Sequence, residues 1–238
     1  MLGEQIASSN RPFEIHVFIS HSHFDKLMGF PFFLPNYIEG AEIFIYSPAM
    51  IKGSIEETLR LFFQHHLCPV SLGEVKAKWH FRELSEETLD IGDVEVETMK
   101  LNHPVTCLGY RLQYRKSKLV YATDHEPYAA VTGSNRQTDK VKEKKYRRFI
   151  QDADLLIADA QYLPDEFHRH RGWGHSTTTY ALNQAVLAKV KQLAFFQHDP
   201  NRSDYQVDQV IKHYRKLLFD KELKLSLFPA QEGLEIEL

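Results

Sequence analysis

Histidine is the residue through which this chain could do chemistry: there are 13 in 238 residues, several in short motifs beside Asp, Gly or Pro. The densest motif is His21-Ser22-His23-Phe24-Asp25-Lys26. Its imidazoles and carboxylate occupy alternating positions, so they can converge on a single ion from a turn, and that donor mix suits zinc, manganese or iron. Taken alone, an HxH pair is more often an ordinary polar loop. Four further motifs shift the balance: Asn102-His103-Pro104, Thr123-Asp124-His125-Glu126, Gly172-Trp173-Gly174-His175-Ser176-Thr177 and Gln197-His198-Asp199-Pro200. Each puts a His or Asp at a strand end or in a loop. His65, His66, His80, His168, His170 and His213 lack that context and are expected on the surface or in packing. His125 is open between supporting Asp124 and pointing away.

Delivering these groups takes strands that end where the motifs begin. Residues 15–20 (IHVFIS) are a β-branched and aromatic run that stops at His21, and 42–46 (EIFIY) is a second strand. Residues 54–66 predict a helix, with Ser54 as N-cap and Glu57 at capping-box spacing. Runs at 94–101, 108–114 and 118–122 predict neighbouring strands. Later come a lysine-rich stretch at 132–148, a strand at 155–160, a helix at about 177–190, strand LAFFQ before His198, and a helix at 204–219 capped by Ser203. Residues 224–227 and 234–238 read as β-like segments. The apolar GFPFFLPNY segment, with Phe30, Phe32, Phe33 and Tyr37, suits core packing better than a stacking surface for a base. The run DKVKEKKYRRF reads first as a solvated helix face, and secondarily as a phosphate contact.

Composition narrows the class. A 43% hydrophobic and 26% charged chain is ordinary globular protein, and this length fits one domain over 1–238. Lys and Arg total 29 against 32 Asp and Glu, which argues against a dominant nucleic-acid surface, so long nucleic acid is not the favoured partner. No apolar h-region or membrane-length apolar stretch is present, and Cys68 and Cys107 are too few for a disulfide framework. A cytoplasmic protein with no membrane partner is expected.

On the stretches SHSHFDKLMGFPFF, YATDHEP, IADAQY, GWGHST and FFQHDPNRSD, the chain resembles the metallo-β-lactamase superfamily. It is most similar to the branch near tRNase Z and small phosphodiesterases, including cyclic-nucleotide phosphodiesterase-like proteins. The resemblance runs from about Phe13 to the C-terminus and implies an α/β (α+β) fold, the four-layer αββα sandwich. It further implies that His21, His23 and His103 bind a first metal, that Asp124 bridges, and that Asp25 with His198 binds a second. Zn2+ is the implied ion, with Mn2+ or Fe2+ as alternatives, and one or two ions per chain. His175 matches the proton donor to the leaving alkoxide, Asp159 the carboxylate that orients it, and Asp25 the base that orients water. Without the resemblance, His175 would be explained by a glycine turn and a helix cap at Ser176 or Thr177.

Two departures shape the expected function. Lys26 stands where the family motif has its second-metal histidine, and a protonated amine cannot coordinate. It either leaves one ion bound or substitutes electrostatically for the second. The histidine motif also begins at residue 21, which implies a first sheet lacking some strands and an edge covered by dimerisation. The leading expectation is a metal-dependent phosphodiesterase that acts on a small nucleotide or cyclic nucleotide through a metal-activated water. The alternatives are a degenerate binding or scaffold protein and a thioester or lactone hydrolase.

Overall fold

The computed structural model describes residues 2–8, 13–50, 53–64, 66–130 and 136–238, and the chain divides into two compact units, 1–85 and 86–238. In the first unit α1 (Leu2–Ala7), β1 (Glu14–Phe18), the one-turn α2 (Phe24–Leu27), β2 (Glu42–Pro48), α3 (Ile55–Phe62) and β3 (Lys78–Leu84) follow in order. The strands form a parallel sheet, β1-β2-β3, with Ile15 opposite Ile43 and Ile43 opposite Trp79. Ile43 and Ile45 of the central strand are wholly buried, together with Leu27, Ile55 and Leu59. Ser54 caps α3 as expected: its hydroxyl accepts the Glu57 N–H at 3.1 Å and the Glu57 carboxylate accepts the Ser54 N–H at 3.0 Å. The helix stops at Phe62 rather than near His66, and His65 lies outside the described residues. The GFPFFLPNY segment winds into two short 3₁₀ turns held by Asn36, which donates to the Phe30 carbonyl at 2.7 Å and accepts from the Trp79 indole at 3.0 Å. Phe30 and Phe33 pack on the core while Phe32 stays exposed, so the segment is structural.

The second unit runs β4 (Thr88–Ile91), β5 (Val94–Lys100), β6 (Leu108–Tyr114), β7 (Ser117–Ala122), α4 (Arg136–Phe149), β8 (Leu155–Asp159), α5 (Thr178–Leu187), β9 (Gln192–Phe196), α6 (Asp204–Asp220) and β10 (Ser226–Pro229). Its seven strands are ordered β10-β9-β8-β7-β6-β5-β4. The pairs from β4 to β7 are antiparallel; those from β7 to β10 are parallel, each with a helix in its crossover. Leu155, Leu156 and Ala158 of β8 are buried, as expected for a central parallel strand covered on both faces. The lysine-rich run is indeed a helix face: Tyr146 and Phe149 of α4 are buried while Lys140, Lys142, Lys144, Lys145 and Arg148 are exposed. The expected strand at 234–238 is not formed; those residues are irregular, and the Leu238 carbonyl accepts from the Ser117 hydroxyl at 3.2 Å.

Two successive antiparallel pairings make β5 run in the same direction as β7, and β8 and β9 are parallel to β7. The carboxyl ends of β5, β7, β8 and β9 therefore open on one edge of this sheet, where the loops bearing His103, Asp124, Asp159 and His198 begin. Among the described residues no helix is long and apolar enough to cross a membrane.

Candidate active site

Asp159 is the hub of this edge. It is 2% exposed, and its carboxylate accepts His175 Nδ1–H at 2.6 Å, the Ser176 N–H at 2.8 Å, the Gln161 N–H at 3.3 Å and the Asp124 N–H at 3.0 Å. Burial pushes its pKa up, and the hydrogen bonds from His175 and Ser176 pull against that rise. Donation from Nδ1 fixes the His175 tautomer and leaves Nε2 as the ring's second position. Asp124, Asp159 and His175 each offer a donor atom within 4.8 Å of the others. Thr177, not Ser176, caps α5, accepting the Tyr180 N–H at 3.1 Å. The cap and the imidazole–carboxylate pair coexist, so the turn-and-cap explanation is incomplete.

Asp124 and Gln197 both hold left-handed backbone, with φ of 58° and 57°, at the turns after β7 and β9. Gln197 Nε2 donates to Asp124 Oδ1 at 3.0 Å. Arg115, Asp152, Lys189 and Glu222 hold the same backbone at other turns, but at Asp124 and Gln197 it comes with a side-chain bond that aims the carboxylate. His198 follows, and its Nε2 is buried with no hydrogen-bond partner among the described residues. Burial and the nearby Arg202 lower its pKa, opposed by a backbone hydrogen bond to Ala230. A neutral imidazole with a buried, unused ring nitrogen is the chemistry of a metal ligand.

Glu126, which closes the Thr123-Asp124-His125-Glu126 motif but was given no role from the sequence, holds the glycine loop. It is 2% exposed, and its carboxylate accepts the Gly172 N–H at 2.8 and 3.0 Å and the Gly174 N–H at 3.1 Å. Both glycines have φ of +85°, and a Cβ on Gly174 would overlap His103 Nδ1. That close approach lets His103 Nδ1–H donate to the Gly174 carbonyl at 3.1 Å, which leaves the lone pair on Nε2. The His103 ring lies edge-on to His175, centroids 5.8 Å apart.

His125 points away from Asp124: both of its ring nitrogens are engaged elsewhere, by Asn102 and Tyr180, so it does not orient that carboxylate. It is 1% exposed, and burial, with a smaller contribution from His103, pushes its pKa down to about 3. It stacks on Tyr146 at 4.2 Å; Nδ1 accepts the Asn102 N–H at 3.1 Å, and Nε2 meets the Tyr180 hydroxyl, also at 3.1 Å. Tyr180 in turn donates to Glu143 at 2.6 Å. With the Glu126 N–H donating to the Asn102 carbonyl at 2.9 Å, these bonds tie the His103 loop to the Asp124 loop.

In the first unit, His21 is buried and its Nε2 lies 2.9 Å from Nδ1 of the exposed His23, with Ser20 Oγ 3.1 Å from His21 Nδ1. Two imidazole nitrogens on one tetrahedral zinc stand about 3.3 Å apart, so this pair needs little movement to share an ion. Lys26 Nζ donates to Asp25 Oδ2 at 2.7 Å; the lysine side chain is 14% exposed and the aspartate 60%. Burial raises the Asp25 pKa, but the Lys26 hydrogen bond and charge outweigh it and hold the carboxyl below its ordinary range.

A family profile described as beta-lactamase superfamily domain matches residues 8–198. The chain is 26% identical over 264 residues to a ribonuclease Z of Haloarcula marismortui, covering 92% of this chain and 79% of that one. Among solved structures it is similar to unliganded yeast PDE1, with a TM-score of 0.63 at 14% identity over 92% of this chain and 67% of the other. It is also similar to the short form of human tRNase Z, with a TM-score of 0.58 at 19% identity over 79% and 74% of the two chains. These likenesses agree with the mixed α/β sheets and establish the metallo-β-lactamase fold.

Proposed function

We propose, from the premise that the chain belongs to the beta-lactamase superfamily domain family, that it is a metal-dependent hydrolase of phosphodiesters whose substrate is a small nucleotide or cyclic nucleotide. The observation that carries this reading is the Asp159–His175 pair, a buried carboxylate fixing an imidazole by Nδ1 at 2.6 Å beside Asp124. The ribonuclease Z relative and yeast PDE1 support the phosphodiester class.

The residues we assign to metal are His21, His23 and Asp25 of the first unit and His103, Asp124 and His198 of the second, with zinc as the first choice of ion. The fit rests on the buried His198 Nε2, which has no hydrogen-bond partner among the described residues, the His103 tautomer that places its lone pair on Nε2, and the His21–His23 nitrogen pair. When bound, the ions supply Lewis-acid polarisation of the phosphoryl group and activation of water. The chain's own part is positional and acid–base. Asp159 holds His175 by Nδ1–H so that the ring, once it also carries a proton on Nε2 as the imidazolium, delivers that proton to the leaving alkoxide and returns to neutral, and Asp25 orients the attacking water. Chelation and reloading of the protein, with metal analysis and turnover of bis(p-nitrophenyl) phosphate, test this. Turnover that follows metal content and is lost in His103→Ala supports it, whereas a reloaded protein that cleaves no phosphodiester sinks it.

One observation favours a second reading, a member that binds its ligand and turns it over poorly. Lys26 spends its ammonium on Asp25, so the second-metal position carries a cation of the protein's own. Lys26→His discriminates: a gain in bound metal together with a rise in turnover supports the second reading, and unchanged turnover supports the first.

A further inference from the structure

Trp173 is 61% exposed, yet its loop is pinned by several backbone hydrogen bonds. Its neighbours Gly172 and Gly174 both donate to buried Glu126, and its own N–H donates to the His170 carbonyl at 3.2 Å. The indole meets the His170 ring edge-on at 5.0 Å and 85°. His170 is itself fixed, its Nδ1–H donating to the Glu166 carbonyl at 3.0 Å and its ring stacked flat on Tyr162 at 4.2 Å and 9°. Tyr162 is 2% exposed and lies edge-on to His175 at 6.2 Å. A continuous aromatic file, Trp173–His170–Tyr162–His175, thus leads from an open indole to the imidazole assigned as the acid. Exposed Arg169 and Arg171 stand on either side of His170 in the chain.

An exposed aromatic ring is common and by itself means little. What distinguishes this one is that the ordering cost of its loop is already met, so a flat ligand meets a rigid surface and loses no affinity to freezing it. Aromatic rings interleaved with arginines are the pattern that grips single-stranded nucleotides, the ring taking a base face and the guanidinium a phosphate.

We infer that Trp173 is a nucleobase-stacking platform, with Arg169 and Arg171 drawing the adjoining phosphate, so that the substrate is recognised by its base as well as by its phosphodiester. This rests on the proposed function for the substrate class but not for its measurement, because binding is read without turnover. Metal-loaded protein is titrated with adenosine 5′-monophosphate and with ribose 5-phosphate, following tryptophan emission and calorimetric heat. Trp79 and Trp173 are the chain's two tryptophans, so Trp173→Phe isolates the signal of Trp79. The nucleotide quenches wild-type emission but not that of Trp173→Phe. Trp173→Phe keeps the calorimetric affinity and Trp173→Leu weakens it about tenfold, the scale of one lost base stack. Ribose 5-phosphate binds wild type and Trp173→Leu alike. Equal affinity of wild type for the two ligands, or an unchanged nucleotide affinity in Trp173→Leu, overturns the inference. A base-dependent quench in a protein without phosphodiester turnover retains the platform and removes the hydrolase; turnover without that quench does the reverse.

Discussion

Glu126 acts on the site without facing a substrate. Its carboxylate satisfies two N–H groups that left-handed glycines turn inward, and the same turn presents the Gly174 carbonyl to His103. Glu126→Gln keeps the size, but the neutral amide is a weaker acceptor and brings an NH₂ group towards the glycine N–H groups. Loss of a partner that orients a metal ligand costs about 10- to 100-fold in metal affinity, so a competition titration against a chromophoric chelator should show a drop in that range with the fold intact by circular dichroism. His175 gives a different signature. If its Nε2–H reaches the leaving oxygen, His175→Ala slows an alkyl leaving group by about 10²–10⁴ and a p-nitrophenolate leaving group far less, since the latter departs unprotonated. Equal loss with both leaving groups would mean that His175 serves structure or binding alone. These residues also mark the limit of what the sequence discloses. His103, Asp124, Asp159 and His175 sit in punctuated strand-end motifs and are visible there. Glu126, His125 and Gln197 lie in the same motifs, but they draw their roles from partners 46, 55 and 73 positions away, and nothing local in the chain names those partners.

At the scale of elements, the strands that deliver the site were legible because they are apolar: β8 is nearly continuous hydrophobic sequence and stops at Asp159. Strand β3, KWHFREL, was not foreseen, since its exposed or half-buried Lys, His, Arg and Glu mask the pattern, and β4 is only four residues long. Residues 234–238 carry an alternating pattern but find no neighbouring strand, so periodicity without a partner gave no β structure. The far end of the central strands is anchored by Asp154. Its carboxylate accepts the Lys118 N–H at 2.7 Å and the Lys191 ammonium at 2.6 Å. Burial raises its pKa, but these hydrogen bonds outweigh it and hold the carboxyl below its ordinary 3.8. A depressed folded pKa adds stability that is present above the unfolded value and lost as pH falls through the folded one. Asp154→Asn should therefore cost about 1–2 kcal/mol in urea unfolding at neutral pH, and the deficit should shrink as the pH is lowered below about 4. Ser203, which accepts the Gln206 N–H and caps α6, should cost about 1 kcal/mol as Ala at any pH where the fold persists.

For the whole molecule, the metal assignment carries a stability prediction, because an ion that binds the folded chain alone stabilises it. An ion at about a thousand times its dissociation constant adds roughly 4 kcal/mol. In a chain of 238 residues that corresponds to a melting point about 10 °C higher, which differential scanning calorimetry with and without chelator would register. An unchanged melting point would separate the fold from the metal altogether.

The common edge formed by the carboxyl ends of β5, β7, β8 and β9 has a consequence for how this protein could change. The framework lies in strands with many buried side chains, while most of the groups we assign to a ligand hang from the connections beyond them. If Trp173 and its neighbouring arginines grip the ligand, substitutions within residues 163–173, which lie between β8 and α5 in the chain, should alter what is recognised while leaving β8 and β9 in place. Selectivity is therefore a portable trait of this scaffold: grafting that segment from a sister protein should transplant ligand preference in one step and leave thermal endurance with the recipient.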